Sequence, residues 1–173
     1  MLHTCCFTGH RPQDLLFLQD KSDYRYRLLL SRLEGEILKL YIEQDVRTFI
    51  SGMALGIDQI AAEIVLKLKR NFTDIKLIAA LPCLGQEAKW KDSERIHYQE
   101  LLSKADRTHI VGESYSPVCM MDRNRFMVDN SRYVIAVWDG RPTGGTAITV
   151  KYAEQRQKRL VIIDPRNLND CFT

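Results

Sequence analysis

The sequence predicts an α/β fold of Rossmann-like type, a single three-layer domain with a mostly parallel sheet between helices. Three observations lead there. Short apolar runs alternate with longer amphipathic ones, in the order βαβαβαβαβαβ. The runs 133–138 (Tyr-Val-Ile-Ala-Val-Trp) and 160–163 (Leu-Val-Ile-Ile) are apolar at every position, as parallel strands covered on both faces are. Four of the six strand ends carry glycine with polar residues, the composition of ligand-binding loops at one sheet edge.

The elements follow in order. Residues 3–8 (His-Thr-Cys-Cys-Phe-Thr) read as the first strand. Residues 22–44 carry Tyr26, Leu30, Leu33, Ile37 and Tyr41 at steps of three and four, which is one helix face. Residues 47–51 form a β-branched and aromatic strand that stops at Gly52. Residues 56–70 align Ile57, Ile60, Ala61, Ile64, Val65 and Leu68 on a second helix. Residues 76–81 form a third strand, ended by Pro82. A helix over 92–104 has Ile96, Leu101 and Leu102 as its inward positions, and 107–111 form a fourth strand before Gly112. A helix over 119–131 precedes the strand at 133–138, and a helix over 145–157 presents Ala147, Ile148, Val150 and Ala153 before the last strand, which Asp164-Pro165 closes. Segment 82–92 fits a loop or an early helical turn.

The 173 residues fit one domain spanning 1–173 and allow a sizeable core. A net charge of +3, with no run of five like charges, does not call for nucleic acid. The five cysteines (5, 6, 83, 119 and 171) have no C-x-x-C spacing, so reduced packing thiols are expected and no metal site. With no signal-peptide pattern and no apolar run near membrane-spanning length, the expected setting is the cytoplasm.

Ligands of open α/β sheets lie beyond the carboxyl ends of the strands. Thr143-Gly144-Gly145-Thr146 opens a helix there. Its glycines let backbone approach an anion, its free N–H groups and dipole attract one, and Thr146 adds a hydroxyl. A tight turn with a threonine cap is the plain alternative. Ser51-Gly52-x-Ala54-x-Gly56-x-Asp58 is a second such turn. Asp58 either complements its helix dipole or accepts hydrogen bonds from a ribose or base. Thr8-Gly9-His10-Arg11 closes the first strand, with Arg11 placed to fork onto a phosphate. Arg123 and Arg125 flank Asn124, and one of them is a candidate to face the pocket; Arg125 is taken as the ligand residue. Glu87, Asp139 and Gly140 complete the candidate set from the loops after the third and fifth strands, and Trp90 is the better base-stacking candidate, because Trp138 ends a buried strand.

These stretches together resemble the YpsA-like family of the SLOG superfamily. The matching segments are Cys6-Phe7-Thr8-Gly9-His10-Arg11-Pro12, Ser51 to Gln59, Gln86-Glu87-Ala88-Lys89-Trp90, Arg123 to Asp129, and Ala136-Val137-Trp138-Asp139-Gly140 running into Gly144-Gly145-Thr146. The resemblance implies a Rossmann-like domain that binds a nucleotide or nucleotide-derived ligand such as NAD, ADP-ribose or a nucleoside phosphate. Some members are linked to bacterial cell division or to conflict systems that sense such ligands. DNA-processing protein A looks similar over Ser51–Asp58 and binds single-stranded DNA. The LONELY GUY phosphoribohydrolases carry Pro-Gly-Gly-x-Gly-Thr-x-x-Glu with a catalytic Glu; here Thr149 stands in its place.

Three functions are therefore expected in order: a nucleotide-binding sensor or regulator, a nucleotide N-glycoside hydrolase whose carboxylate would come from Asp58, Glu87 or Asp139, and a single-stranded DNA module. No catalytic residue is assigned. A homodimer through an exposed helix face is a further expectation.

Overall fold

Every apolar run becomes a strand and every amphipathic run a helix in the structure, a computed structural model that describes residues 2–168. In chain order these are β1 (Thr4–Gly9), α1 (Tyr24–Gln44), β2 (Thr48–Ser51), α2 (Ile57–Lys69), β3 (Lys76–Leu81), α3 (Asp92–Lys104), β4 (Arg107–Ile110), α4 (Cys119–Asp129), β5 (Tyr133–Val137), α5 (Gly145–Gln155) and β6 (Arg159–Ile163). A short 3₁₀ turn at Leu16–Gln19, which the sequence pattern did not signal, seats Phe17 and Leu18 in the core.

The strands form one sheet in the order β4-β3-β2-β1-β5-β6. Every pairing is parallel, so the expected mostly parallel sheet is wholly so among the described residues. The chain builds outward from β1 to β4, then crosses back to place β5 on the free side of β1. Right-handed crossovers consequently put α1, α2 and α3 on one face and α4 and α5 on the other. The two faces read out alternate residues of β1. Cys5 and Phe7 join the larger core with Leu29, Leu33, Ile37, Ile60, Val65 and Tyr98, and Phe7 stacks on Phe49 at 6.0 Å. Cys6 joins the smaller core with Met127, Val128, Val134 and Ala153.

The helix faces shift slightly from the sequence expectation. On α1 the buried line is Tyr26, Leu29, Leu33, Ile37 and Leu40, with Leu30 and Tyr41 half-buried beside it. On α3 Ile96 is exposed and Tyr98 is buried, because the inward stripe runs through Tyr98 and Leu101, and Ile96 lies two residues and about 200° out of phase. Ile148 on α5 is likewise exposed. The expectation that 160–163 is covered on both faces is corrected. As β6 the segment lies at the sheet edge, and only Ile163 is buried.

One glycine is demanded by the chain path. Gly56 caps α2 at φ +95°, and a Cβ there would stand 2.6 Å from the backbone oxygen of His10. Gly56→Ala is expected to lower unfolding stability by more than about 1 kcal/mol, since strain and collision add. A urea midpoint equal to that of the unsubstituted chain would contradict this close approach.

Candidate functional site

Where the strand order reverses, between β1 and β5, the loops diverge and leave a crevice at the carboxyl edge of the sheet. A cavity of about 240 Å³ opens there. Thr8, Gly9, His10 and Arg11 bring the end of β1 to it; Ala54, Leu55 and Asp58 bring the start of α2. Met120, Arg123 and Asn124 enter from α4, and Arg141 with Thr143–Thr146 from the loop that opens α5. Asp14 stands at the rim.

The α5 end of this cavity is built to receive negative charge. Gly144 is the N-cap at φ +94° and offers no side-chain cap. The first backbone bond of the helix runs from Ile148 N–H to the Gly144 carbonyl, so the N–H groups of Gly145, Thr146 and Ala147 have no acceptor among the described residues. Across the cavity Arg11 is half-buried, and its guanidinium makes no hydrogen bond or ion pair among the described residues. Thr149 is buried one turn into α5. Its hydroxyl donates to the Gly145 carbonyl at 2.7 Å and accepts from Asn124 Nδ2 at 2.9 Å. Thr149 thus ties α4 to the first turn of α5.

The α2 end is held by a tightly determined turn. Ser51 Oγ donates to the Asp58 carbonyl at 2.7 Å and accepts from Met53 N–H at 3.1 Å. Gln59 Nε2 donates to the Met53 carbonyl at 3.2 Å. These bonds hold Met53 at φ +58°, a left-handed conformation that a non-glycine residue adopts only when its surroundings fix it. A Cβ on Gly52 would overlap the Arg123 guanidinium, so Gly52 serves the approach of that side chain.

Arg123 and Asp58 form a buried pair at the cavity floor, Nη1 to Oδ2 at 3.6 Å, with 3% and 10% side-chain exposure. Arg123 also donates to the Gly52 carbonyl and to Asn124 Oδ1, and Asp58 accepts from Ala54 N–H at 3.4 Å. Burial pushes the Asp58 carboxyl up from its ordinary value, against the pull of Arg123 and Arg11. Burial pushes the Arg123 guanidinium down, although Asp58 opposes this. Each partner therefore loses more by desolvation than the other returns, the usual balance of a buried ion pair.

Asp139 is placed differently from the expectation that it faces a ligand. Its carboxylate accepts from Arg141 Nε and Nη2, the shortest contact being 2.8 Å, and lies 3.1 Å from His10 Nε2. Arg141 reaches on to Asp14 at 3.3 Å. The Arg141 bonds hold Asp139 at about 2, which keeps it ionised across the physiological range. A carboxyl depressed in the folded state contributes stability that is present above the unfolded value near 3.9 and lost as pH falls toward about 2. Asp139→Asn is therefore expected to flatten the fall of the urea midpoint between about pH 4 and pH 2; an unchanged acid limb would contradict the pairing.

Of the residues singled out in the sequence, Thr8, Gly9, Arg11, Ala54, Asp58, Gly144, Gly145 and Thr146 line the one cavity. Ser51, Gly52 and Gly56 shape the turn behind it and do not line it. Asp139 and Gly140 lie in the loop beside it. Glu87 and Trp90 sit away from it on the α3 side. Glu87 accepts from Gln99, and Trp90 meets Tyr98 edge-on with ring centres 5.3 Å apart. Arg125 is exposed, pairs with Asp122 at 3.4 Å and lines a different cleft between α4 and α5. Its neighbour Arg123 enters the cavity instead. The phase of α4 carries the signal, because Cys119, Arg123 and Met127 follow one another at steps of four and all three are buried. The lining residues His10, Asp14, Leu55, Met120, Asn124, Arg141 and Thr143 were not among the ligand residues assigned from sequence.

Comparison with known proteins agrees with this architecture. The YpsA family model, described as the YspA SLOG family, matches residues 5–168. A UPF0398 protein of Brevibacillus brevis is 25% identical over 158 residues, covering 90% of this chain and 83% of the relative. The SPbeta prophage-derived protein YoqJ of Bacillus subtilis is 32% identical over 139 residues, covering 73% of this chain and 81% of YoqJ. DNA processing protein A of Helicobacter pylori, solved for its single-stranded DNA binding mode, superposes with a TM-score of 0.59 at 19% identity. The superposition covers 94% of this chain and 66% of that one, and at this identity it is a likeness of fold. No helix among the described residues is long and apolar enough to cross a membrane. With the family model matched from the first strand to beyond the last, the chain belongs to the YspA SLOG family.

Proposed function

We propose that this protein is a cytoplasmic nucleotide-binding sensor or regulator that takes a nucleoside phosphate, ADP-ribose or NAD at the switch-point cavity. The observation that carries the reading is the pairing of an unengaged Arg11 guanidinium with the uncapped N-terminus of α5 in one cavity. A phosphate between them would meet a cation able to fork onto two oxygens, several free N–H groups and the Thr146 hydroxyl. The cavity is smaller than the roughly 300–1,000 Å³ of sites that enclose a whole drug-sized ligand. The sugar and base would accordingly extend past Leu55 and Met120 toward solvent. Four buried free thiols at Cys5, Cys6, Cys83 and Cys119 support the reducing compartment; Cys171 lies outside the described residues.

One observation favours a second reading, hydrolysis of a nucleotide's N-glycosidic bond. Asp58 is a buried carboxyl with a raised pKa at the floor of the cavity, the property expected of an acid or base catalyst. Single-strand DNA binding, which belongs to the H. pylori structure, is the third. It is less well supported because among the described residues no Phe, Tyr or Trp lines the cavity to stack a base.

Thermal melting against AMP, ADP-ribose, NAD and an oligo-dT strand, with chromatography for released base, separates these readings. Stabilisation by a mononucleotide without release of base supports the sensor. Release that Asp58→Asn abolishes replaces it with the hydrolase. Stabilisation by oligo-dT alone, weakening steeply with salt, replaces it with the DNA module.

A further inference from the structure

The opposite edge of the sheet carries a second concentration of charge. At the amino ends of β5 and β6, Ser131, Arg132, Arg156, Lys158 and Arg159 line another cavity of about 240 Å³. Under the neighbouring strands β2 and β3, three cations of this edge are matched. Arg47 pairs with Asp45 and Asp74, and Lys69 and Lys76 both pair with Asp106. At the β5–β6 corner a single carboxylate, Asp129, is paired with one of these four cations, through Arg156 at 2.9 Å. Lys158 Nζ spends one proton on the Asp129 carbonyl at 3.3 Å. Arg159 lies 6.0 Å over the Tyr133 ring, and its side chain makes no hydrogen bond or ion pair among the described residues. The Arg132 side chain makes no hydrogen bond or ion pair among the described residues.

A buried polar residue stands in the same lining. Ser131 is wholly buried, and among the described residues its Oγ has no oxygen or nitrogen partner. The Cys6 thiol beside it is a weak partner at best. A buried hydroxyl left in this state is normally satisfied by a water or a ligand.

We propose that this amino-edge cavity is a second anion site, taking a phosphate group between Arg132 and Arg159 with Lys158 beside them. The shared chemistry is an anionic tetrahedral phosphate with at least two unesterified oxygens. Two guanidinium forks and an ammonium offer such a group more donors than one carboxylate would use. The source is either a free oligophosphate or the backbone of a nucleic acid. The site is separate from the switch-point cavity, which lies at the carboxyl end of the same strands, and it does not depend on the function proposed for that cavity.

Calorimetric titration of the full chain with pyrophosphate and with an oligo-dT strand tests the proposal. Four proteins are compared: the unsubstituted chain, Arg11→Ala, Arg132→Ala/Arg159→Ala and Arg132→Lys/Arg159→Lys. One of the two probes is expected to bind both the unsubstituted chain and Arg11→Ala. Affinity should fall about tenfold or more in the double alanine variant and recover only in part in the double lysine variant, which keeps the charge and loses the forks. Pyrophosphate binding identifies a free oligophosphate as the source, and oligo-dT binding with a steep salt dependence identifies a nucleic-acid backbone. Equal melting temperatures of the four proteins keep the loss specific to the site. Absence of binding by both probes overturns the proposal. So does binding that Arg11→Ala removes and the amino-edge variant retains, because the anion would then sit at the switch point.

Discussion

Arg123→Met is expected to cost the folded state about 3–5 kcal/mol, the usual penalty for removing one partner of a buried ion pair. The reason lies with what stays behind. Asp58 is 10% exposed in its side chain, and Arg123 is the nearest positive charge. Without it, a single long hydrogen bond from Ala54 N–H and the more distant Arg11 must hold a buried carboxylate. Asp58 already has a pKa raised by burial, and Arg123 opposes that rise, so the variant raises it further. A carboxyl with a raised folded pKa favours the fold most below its unfolded value near 3.9, and this contribution disappears as pH climbs through the folded value. The variant should therefore be relatively more stable near pH 5 than near pH 8. Adding Asp58→Leu removes the orphan charge and should restore much of the loss. Urea midpoints for the four members of this cycle measure both effects; a single variant as stable as the unsubstituted chain would show that the pair is not holding the cavity floor.

Arg11→Ala should have the opposite profile. Its guanidinium makes no hydrogen bond or ion pair among the described residues, so stability without ligand should stay within about 0.5 kcal/mol. Affinity for a phosphate-bearing nucleotide should fall about ten- to a hundredfold, the equivalent of one charge-assisted contact of about 1.5–3 kcal/mol. Arg123 and Arg11 both stand in the cavity, and they separate cleanly on these criteria: one supports the fold, the other awaits a partner. A large stability loss in Arg11→Ala would show that the residue has a structural role.

The legibility of this protein in its sequence follows from which signals are local. Strand positions are readable because 133–137 is apolar at every residue and buried throughout. The opening of α5 is readable from Gly144-Gly145-Thr146 alone. The roles of the other glycines are not local. Gly52 and Gly56 look like ligand-loop residues in sequence, yet the space above each is taken by Arg123 and by the His10 backbone. These contacts join segments far apart in the chain, and no spacing rule reveals them. The same applies to Asp139, whose engagement with Arg141 is two residues away but whose contact with His10 spans the switch point. Trp90 carries the composition of a stacking residue, and its actual neighbour, Tyr98, lies one helix further on. Arg123 was separable from Arg125 by helical phase, since only one of two residues set about 200° apart can face inward.

The most direct test of the switch-point site is an amide-resolved NMR titration of the full chain with AMP and with ADP-ribose. One of the two should move the Gly144, Gly145 and Thr146 resonances saturably, together with those of Gly9 to Arg11, and Arg11→Ala should weaken these shifts in parallel. Titration with neither ligand moving these resonances, or with shifts that Arg11→Ala leaves intact, would contradict a phosphate seated between β1 and α5.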